Sequence, residues 1–578
     1  MKYGYDSNYT INLRRQFSTN MPEYAAQLKQ IDSDGDGIPE DQLLFKQVGN
    51  PSALGYKESV DGKRRHVYVE AALEWKRTFN TVHDVSGLVL YNQSKKHYTE
   101  SAFNEIPLSY LGLVGRFIYS YKSKYNAEVD LGYNGSENFP KDKRFGLFPA
   151  FSASWVVSEE SYMKNLRFIS FMKLKASYGE VGNDKLGNNR FLYIPDSYSM
   201  SYTGGPLFGV NGTGQGFGTA SLLKRGNPDV SWEIDHKQNY AIELRLFDKL
   251  GINFDYFYNF RTNILRTRQT YTSYVDDKIP PLNFGKMSNK GYELELSWRE
   301  TKNDFTYWVK GIYAFARNKV VEMDEPGNIP EWQKQTGRPL GTPILYLVKG
   351  FYETDEQVSA ANGKSQMEGI AVNTLAGGKV RKGDLWYEDY NEDGLINDLD
   401  RVAYGNYTQI PEISGSVSLG ANYKGFDISV LFQGVTNAVV SYGGESLQPF
   451  TSQYLATMSA QTFVRDRWTE ENKENATFPA LTLVPGHYNF GGGYGYVNEF
   501  FTNDASYIRL KNLELGYTFS GGLLKKLKCQ SFRVYMNGSN LVTWDRQKLF
   551  KFDPEQPGSR GLAYPQQSIY NLGVNLQF

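Results

Sequence analysis

The last eleven residues of the chain, 568–578, read SIYNLGVNLQF and alternate between apolar and polar side chains. A period of two is that of a β-strand, because successive side chains of a strand point to opposite faces. Eleven residues are also close to the number that crosses the hydrocarbon of a bilayer when a strand is tilted. The apolar positions therefore predict a lipid-facing row: Tyr570, Leu572, Val574, Leu576 and Phe578.

The same alternation recurs along the chain and predicts sixteen strands. They lie near 9–17, 67–79, 84–96, 109–121, 125–136, 145–157, 171–182, 235–247, 250–262, 289–300, 304–316, 410–423, 425–437, 507–519, 529–541 and 568–578. A strand of a soluble β-sandwich can alternate in the same way, since one of its faces meets water. The alternation therefore has to be weighed together with strand length and spacing.

The connections between these strands alternate in length. Short ones, such as 122–124, 248–249 and the single residue Lys424, are followed one strand later by long ones. The longest are 183–234, 263–288, 317–409, 438–506 and 542–567, while 137–144 and 158–170 weaken the alternation. An outer-membrane barrel has this arrangement, with short periplasmic turns and long extracellular loops. We therefore predict an all-β, antiparallel, up-and-down transmembrane barrel with a periplasmic C-terminus and extracellular loops near 183–234, 317–409 and 438–506.

Composition agrees with this prediction. The 578 residues carry 63 Lys and Arg against 63 Asp and Glu, so charge gives no reason to expect nucleic acid as a partner. No run of about 18 apolar residues is present, which argues against membrane-spanning helices but not against strands. The sequence opens Met1-Lys2-Tyr3-Gly4 with no apolar stretch behind it, so it shows no secretory signal. We expect the chain to begin inside a longer protein.

An ordered series of local motifs resembles the SusC/RagA-type TonB-dependent outer-membrane transporters. The motifs are Gly115–Tyr121, Phe148–Trp155, Leu174–Gly179, Asn227-Pro228, Trp232-Glu233, Asn283–Glu293, Gly383-Asp384-Leu385, Tyr507–Asn512 and Asp553-Pro554-Glu555. Read as residues alone, they place Gly and Pro at turns and aromatic side chains at the level of lipid headgroups. We interpret them as fold motifs and not as a reaction centre.

The resemblance implies a barrel of about 22 strands, of which residues 1–578 would form the C-terminal part, with about 16 strands and without the plug domain. It also implies a SusD-like surface lipoprotein, the TonB complex and outer-membrane lipid as partners, and glycan or peptide oligomers as cargo. The piece alone would lack the plug and the energy-coupling segment, and no enzymatic activity is expected. Two alternatives stay open, an outer-membrane barrel enzyme and a soluble carbohydrate-binding β-protein.

One acidic segment, 389–400, matches the spacing of a calcium-binding loop, in which oxygen ligands alternate and a glycine permits the turn. The candidate ligands are Asp389, Asn391, Asp393, the carbonyl of Leu395, Asn397 and Asp400. Asp400 stands where such loops usually have a glutamate, and its shorter reach predicts weaker binding. The alternative is a solvated acidic turn, and a bound calcium would be structural.

A second acidic segment is a weaker calcium candidate. Its residues are Asp32, Asp34, Asp36, Ile38 and Glu40. Leu43 occupies the closing position, so the loop is incomplete, and a plain acidic turn is the alternative.

Other signs of chemistry are weak. The five histidines, at 66, 83, 97, 236 and 487, show no paired metal-binding spacing. The glycine-rich run 491–496 is predicted to be either a linker or a contact surface. No further cofactor is predicted.

Overall fold

The structure is a computed structural model of the chain. It describes residues 2–14, 24–31, 40–47, 57–97, 107–187, 190–195, 198–201, 219–222, 225–271, 279–405, 407–442, 462–482, 484, 487–490, 498–522, 524, 529–547, 552–556, 564 and 566–578.

Sixteen strands form one large sheet, in which they follow one another in chain order. They are β1 (Lys2–Arg14), β2 (Lys57–Phe79), β3 (His83–His97), β4 (Leu108–Tyr121), β5 (Tyr125–Ser136), β6 (Phe145–Val156), β7 (Ile169–Asn183), β8 (Glu233–Leu246), β9 (Leu250–Arg266), β10 (Leu282–Lys302), β11 (Phe305–Glu322), β12 (Ile413–Tyr423), β13 (Phe426–Thr436), β14 (Tyr507–Phe519), β15 (Ser531–Asp545) and β16 (Ile569–Gln577).

Each of the sixteen predicted strands corresponds to one of these. Two, 125–136 and 507–519, have the predicted bounds. The first strand was predicted at 9–17 and instead spans Lys2–Arg14, because it pairs with the first half of β2, from Lys2 opposite Glu70 to Arg14 opposite Lys57. The all-β, up-and-down prediction is confirmed.

The chain consists of two compact units. The smaller comprises Met1–Glu74, Leu88–Gly115 and Gly132–Glu137, and it holds a separate hairpin of Tyr24–Ile31 with Glu40–Gln47. The larger comprises Trp75–Gly87, Arg116–Leu131 and Asn138–Phe578. Every neighbouring pair from β6 to β16 is antiparallel.

Because consecutive strands are antiparallel neighbours, the connections alternate between the two ends of the sheet. The connections 323–412 and 437–506 therefore share one end, and the Lys424 turn lies at the other. This alternation matches the predicted topology of long loops at one end and short turns at the other.

The two faces of the sheet differ in polarity near the C-terminus. Leu572 lies opposite Met536, and Met536 lies opposite Leu515; these side chains are 79%, 54% and 42% exposed. On the other face Asn571 lies opposite Asn537, and the Asn571 amide donates to the Asn537 side-chain oxygen at 3.0 Å. An apolar row with this much exposure suits lipid, as the alternation predicted.

None of the helices among the described residues is long and apolar enough to cross a membrane.

The family-like motifs hold strand ends together. Trp232 is buried and packs edge-on against Phe148, with ring centroids 5.2 Å apart. Glu233 accepts hydrogen bonds from the Asn183 amide at 2.9 Å and from the backbone N–H of Leu265 at 3.2 Å. These contacts join β7, β8 and β9 and support the interpretation of the motifs as fold motifs.

A second motif fixes the last long connection. The Arg509 guanidinium on β14 is 1% exposed and donates to Asp553 at 2.7 Å, to Glu555 at 2.8 Å and to Gln566 at 2.7 Å. It also donates to the Thr543 hydroxyl on β15 at 2.8 Å. A buried arginine needs such partners, because an unpaired buried charge is costly.

Candidate functional site

The two longest connections described fold together into one body, here called the loop module, meaning the described residues of 323–412 and 437–506. Short strands build it: Ile344–Tyr346 pairs with Arg401–Ala403, Val348–Phe351 with Leu385–Tyr387, Val372–Asn373 with Leu395–Ile396, and Val439–Ser441 with Thr502–Asp504. A helix, α1 (Asp355–Ala361), begins with a capping box in which Thr354 accepts from the backbone N–H of Gln357.

The loop module has its own hydrophobic core. Residues from both connections are fully buried in it, including Tyr346, Tyr352 and Phe478. The Phe478 ring lies 5.4 Å from Phe463 and 5.9 Å from Phe500, centroid to centroid. These loops were predicted only as loops, and the structure shows that they are packed like a small globular domain.

A buried carboxylate joins the two connections. Asp384, from the first, is 0% exposed and accepts hydrogen bonds from the Tyr488 hydroxyl and the Asn489 amide of the second, both at 2.9 Å. The Asn489 side-chain oxygen in turn accepts from the backbone N–H of Leu385 at 2.8 Å. Burial, and then the neighbouring Asp384 charge, raise the pKa of Tyr488, so its hydroxyl stays a donor.

His487 lies beside this carboxylate. Its Nδ1 accepts from the backbone N–H of Asn489 at 3.2 Å, and its Nε2 is 3.7 Å from the Asp384 carboxylate. The ring is 1% exposed, and burial lowers the pKa of His487 despite the opposing effect of Asp384. The imidazole is therefore neutral near pH 7.

Sequence reasoning missed this cluster as a site. Asp384 was recognised only as part of the Gly383-Asp384-Leu385 motif, and His487 only as an isolated histidine. The signal that could have been used is the glycine at position 383, because glycine marks backbone that other residues rarely adopt. In the structure its φ is +82°, and an added Cβ would meet Trp468 at 2.5 Å.

The predicted calcium loop is a tight turn on the surface of the loop module. The Asp389 carboxylate accepts the backbone N–H of Asp393 at 3.2 Å and that of Gly394 at 2.8 Å. Asn391 accepts from the backbone N–H of Asp393 at 3.1 Å and donates its amide to the Asp393 carboxylate at 2.9 Å. Gly394 has a φ of +82°, as the spacing required.

Asp400 closes this turn from inside. It is fully buried and accepts backbone N–H groups of Tyr390 at 2.9 Å, of Asn391 at 3.4 Å and of Asn397 at 2.8 Å. Burial raises the pKa of Asp400, and these hydrogen bonds oppose the shift. Leu395, whose backbone carbonyl is the predicted calcium ligand, is 42% exposed.

The structure thus brings Asp389, Asn391 and Asp393 together and holds Asp400 against the backbone of the same turn. Among the described residues, no group of three or more His, Cys, Asp or Glu side chains has the geometry of a metal site. Asp32, Asp34, Asp36 and Ile38 of the weaker candidate lie outside the described residues, and Glu40 begins the hairpin strand Glu40–Gln47. The run 491–496 also lies outside them.

Comparison with known proteins identifies longer relatives. The TonB-dependent receptor P3 of Formosa agariphila is 27% identical over 536 residues, which cover 88% of this chain and 49% of that protein. The TonB-dependent receptor SusC of Bacteroides thetaiotaomicron is 23% identical over 486 residues, covering 80% of this chain and 43% of that protein. No family model matches the chain. The chain spans about half the length of the curated relatives that it matches.

A solved structure has a fold similar to that of this chain. The RagAB peptide importer in its open-open state superposes with a TM-score of 0.65 at 17% identity, covering 89% of this chain and 56% of that chain. The resemblance to SusC/RagA-type TonB-dependent transporters that the motifs indicated is confirmed by these matches.

Proposed function

We propose that the protein is the barrel component of an outer-membrane importer for oligomeric nutrients, glycan or peptide, driven through the TonB complex. The loop module is the observation that carries this proposal. It lies at the long-loop end of a sheet that has an exposed apolar face, and it is stabilised by a hydrophobic core of its own. A folded body at that end offers a rigid surface on which a surface lipoprotein of the SusD type can dock.

Its relatives favour the same role. SusC is named as a TonB-dependent receptor, and RagAB as a peptide importer. The assignment of glycan or peptide cargo to this chain is part of the proposal, because selectivity in such proteins depends on loops placed on a rigid scaffold.

The test is uptake by cells. Cells lacking the protein should lose uptake of a labelled oligosaccharide or oligopeptide mixture, and the wild-type gene should restore it only when TonB is present. A tagged SusD-like lipoprotein should co-purify with the wild-type protein. Unchanged uptake in cells that lack the protein, or uptake that is restored without TonB, would rule the proposal out.

We also propose that the turn 389–400 binds one structural calcium ion at the outer end of the loop module. The donors fit the chemistry, since Asp389, Asn391, Asp393, the Leu395 carbonyl and Asn397 are all oxygen ligands of the kind that calcium prefers. Asp400 fixes the turn through three backbone N–H groups and would have to release some of them to act as the sixth ligand.

Calorimetry with calcium on the full-length protein tests this site. Wild type should bind one calcium ion that the Asp389→Ala/Asp393→Ala double variant does not bind. The Asp355→Ala variant is the matched control, because Asp355 is an exposed carboxylate of the same module outside the turn. Equal binding by wild type and the double variant would show that the turn is only acidic.

A further inference from the structure

Two tight turns at the short-turn end of the sheet are built alike. Lys122 follows Tyr121 and Lys424 follows Tyr423, and both lysines have a positive φ, of 51° and 46°. Each ammonium lies over the ring of the preceding tyrosine, 5.2 Å and 5.4 Å from the centroid. This cation–π contact holds an exposed charge at the rim of the sheet.

Neither ammonium has a carboxylate within ion-pair distance among the described residues. An unpaired, exposed cation fixed above an aromatic ring is well placed to meet an anion. If lipid covers the apolar face, the anions nearest to its edge are the phosphates of the lipid headgroups.

The Lys424 turn differs from the Lys122 turn in what lies next to it. A surface groove of about 680 Å³ begins at the two residues that flank this turn, Tyr423 and Phe426. Its wall is mostly apolar and continues through Phe305, Ala421, Ile428, Leu515, Tyr517, Phe519, Val534, Met536 and Leu572. Asp427 also lines the groove, and its carboxylate is paired with Arg533. By contrast, Lys122 lies beside a row of ring contacts, His83–Tyr121, Tyr121–Tyr125 and Tyr125–Trp155, and beside the Lys124–Glu160 ion pair at 3.3 Å.

The turn that carries Lys424 is fixed to the next strands. The backbone N–H of Thr518 donates to the Gly425 carbonyl at 2.7 Å, and an added Cβ on Gly425 would meet the Thr518 carbonyl oxygen at 2.6 Å. The Phe426 and Tyr517 rings, 4.5 Å apart, form part of the groove wall. The groove and the ammonium are therefore presented together by a rigid turn.

We propose that this groove is a phospholipid-binding site, with an acyl chain lying along the apolar wall and the phosphate held by the Lys424 ammonium. The occupant is a lipid of the leaflet that surrounds the short turns. The two halves of the site match the two halves of such a molecule. The mostly apolar wall suits an acyl chain, since the Asp427 carboxylate within it is already paired with Arg533, and the lysine suits the phosphate. The site rests on the outer-membrane location proposed above but not on transport.

Native mass spectrometry of the full-length protein in a neutral detergent, titrated with phosphatidylglycerol, tests the site. Wild type should retain one phosphatidylglycerol molecule. Lys424→Gln should weaken retention about tenfold, as expected for the loss of one charge-assisted hydrogen bond. Ala421→Phe, which fills the groove and keeps the lysine, should weaken it by a similar factor.

Lys122→Gln is the matched control, since it removes the same charge from the same kind of turn but from outside the residues that line this groove, and it should retain the lipid as wild type does. Heat-modifiable migration on gels shows that each variant is folded. Equal losses in Lys424→Gln and Lys122→Gln, or wild-type retention in Ala421→Phe, would overturn the proposal. Cellular uptake is read separately, so a protein that binds the lipid but imports nothing would count against the proposed function alone.

Discussion

The sheet and the loop module are two regions of one chain that are stabilised in opposite ways. On the sheet, large apolar side chains are exposed, as Leu572 is at 79% and Phe426 at 64%, whereas Phe478 and Tyr346 of the loop module are at 0%. The sheet satisfies its backbone by strand pairing and leaves an apolar face to its surroundings. The loop module has to exclude water with its own side chains. A large apolar side chain therefore stabilises the loop module by packing inside it, whereas on the sheet it forms part of the outer surface.

The largest contrast is expected from one substitution made in each region. Phe478→Ala should raise the susceptibility of the loop module to protease, with a loss of about 3–5 kcal/mol in the free energy of local opening, because it leaves a cavity in a closed core. Phe151→Ala, at a position of β6 that is 48% exposed, should change that opening by no more than about 0.5 kcal/mol. Native-state proteolysis measures both. Similar values for the two variants would mean that the loops and the sheet share one stabilising core.

A smaller loss is expected from the buried carboxylate. Asp384→Asn keeps the shape of the side chain but removes the charge and places an amide where Tyr488 and Asn489 both donate. Local opening of the loop module should become easier by about 1.5–3 kcal/mol, the usual range for hydrogen bonds to a charged group. Asp355→Asn, at an exposed carboxylate of the same module, is the control. An Asp384→Asn protein as resistant to protease as wild type would show that the two connections are held by apolar contacts alone.

The loop module should also lose stability on acidification, and His487 gives the direction. Because burial lowers its pKa in the folded state, the unfolded chain takes up the proton first as pH falls. The stability is complete above the unfolded pKa of about 6.5 and declines below it, by at most about 1.4 kcal/mol per pH unit for one proton. Asp384, Arg381 and Tyr488 surround the ring.

Proteolysis between pH 7.5 and 5.5 measures this slope, and His487→Gln should flatten it. Asp400 acts in the opposite sense, because burial raises its pKa above the ordinary value of 3.8 and the folded state therefore takes up this proton first as pH falls. A slope that persists in His487→Gln would assign the acid sensitivity to another group.

The sequence predicted the sheet far better than the loop module, for a physical reason. A long strand such as β5 has a period of two over more than ten residues, so the pattern can be read locally. The loop module is built from strands of two to four residues, such as Val372–Asn373 and Val348–Phe351, which are too short to show a period. Its key contact, between Asp384 and Asn489, joins residues 105 positions apart. Only the tight turn at 389–400, whose hydrogen bonds are local, was visible from spacing.

The smallest effect is expected from the ion pairs on the polar face of the sheet. Lys175 on β7 and Glu243 on β8 lie 2.6 Å apart, and both side chains are 35% exposed. A pair with this exposure is screened by water and contributes about 0.2–1 kcal/mol. A double-mutant cycle with Lys175→Gln and Glu243→Gln, followed by urea unfolding of the full-length protein in detergent, should give a coupling in that range. The coupling should also shrink at 1 M salt, where the screening length is about 3 Å. A coupling above about 2 kcal/mol that does not respond to salt would mean that this face of the sheet excludes water as the core of the loop module does. The two regions would then not differ in how they are stabilised.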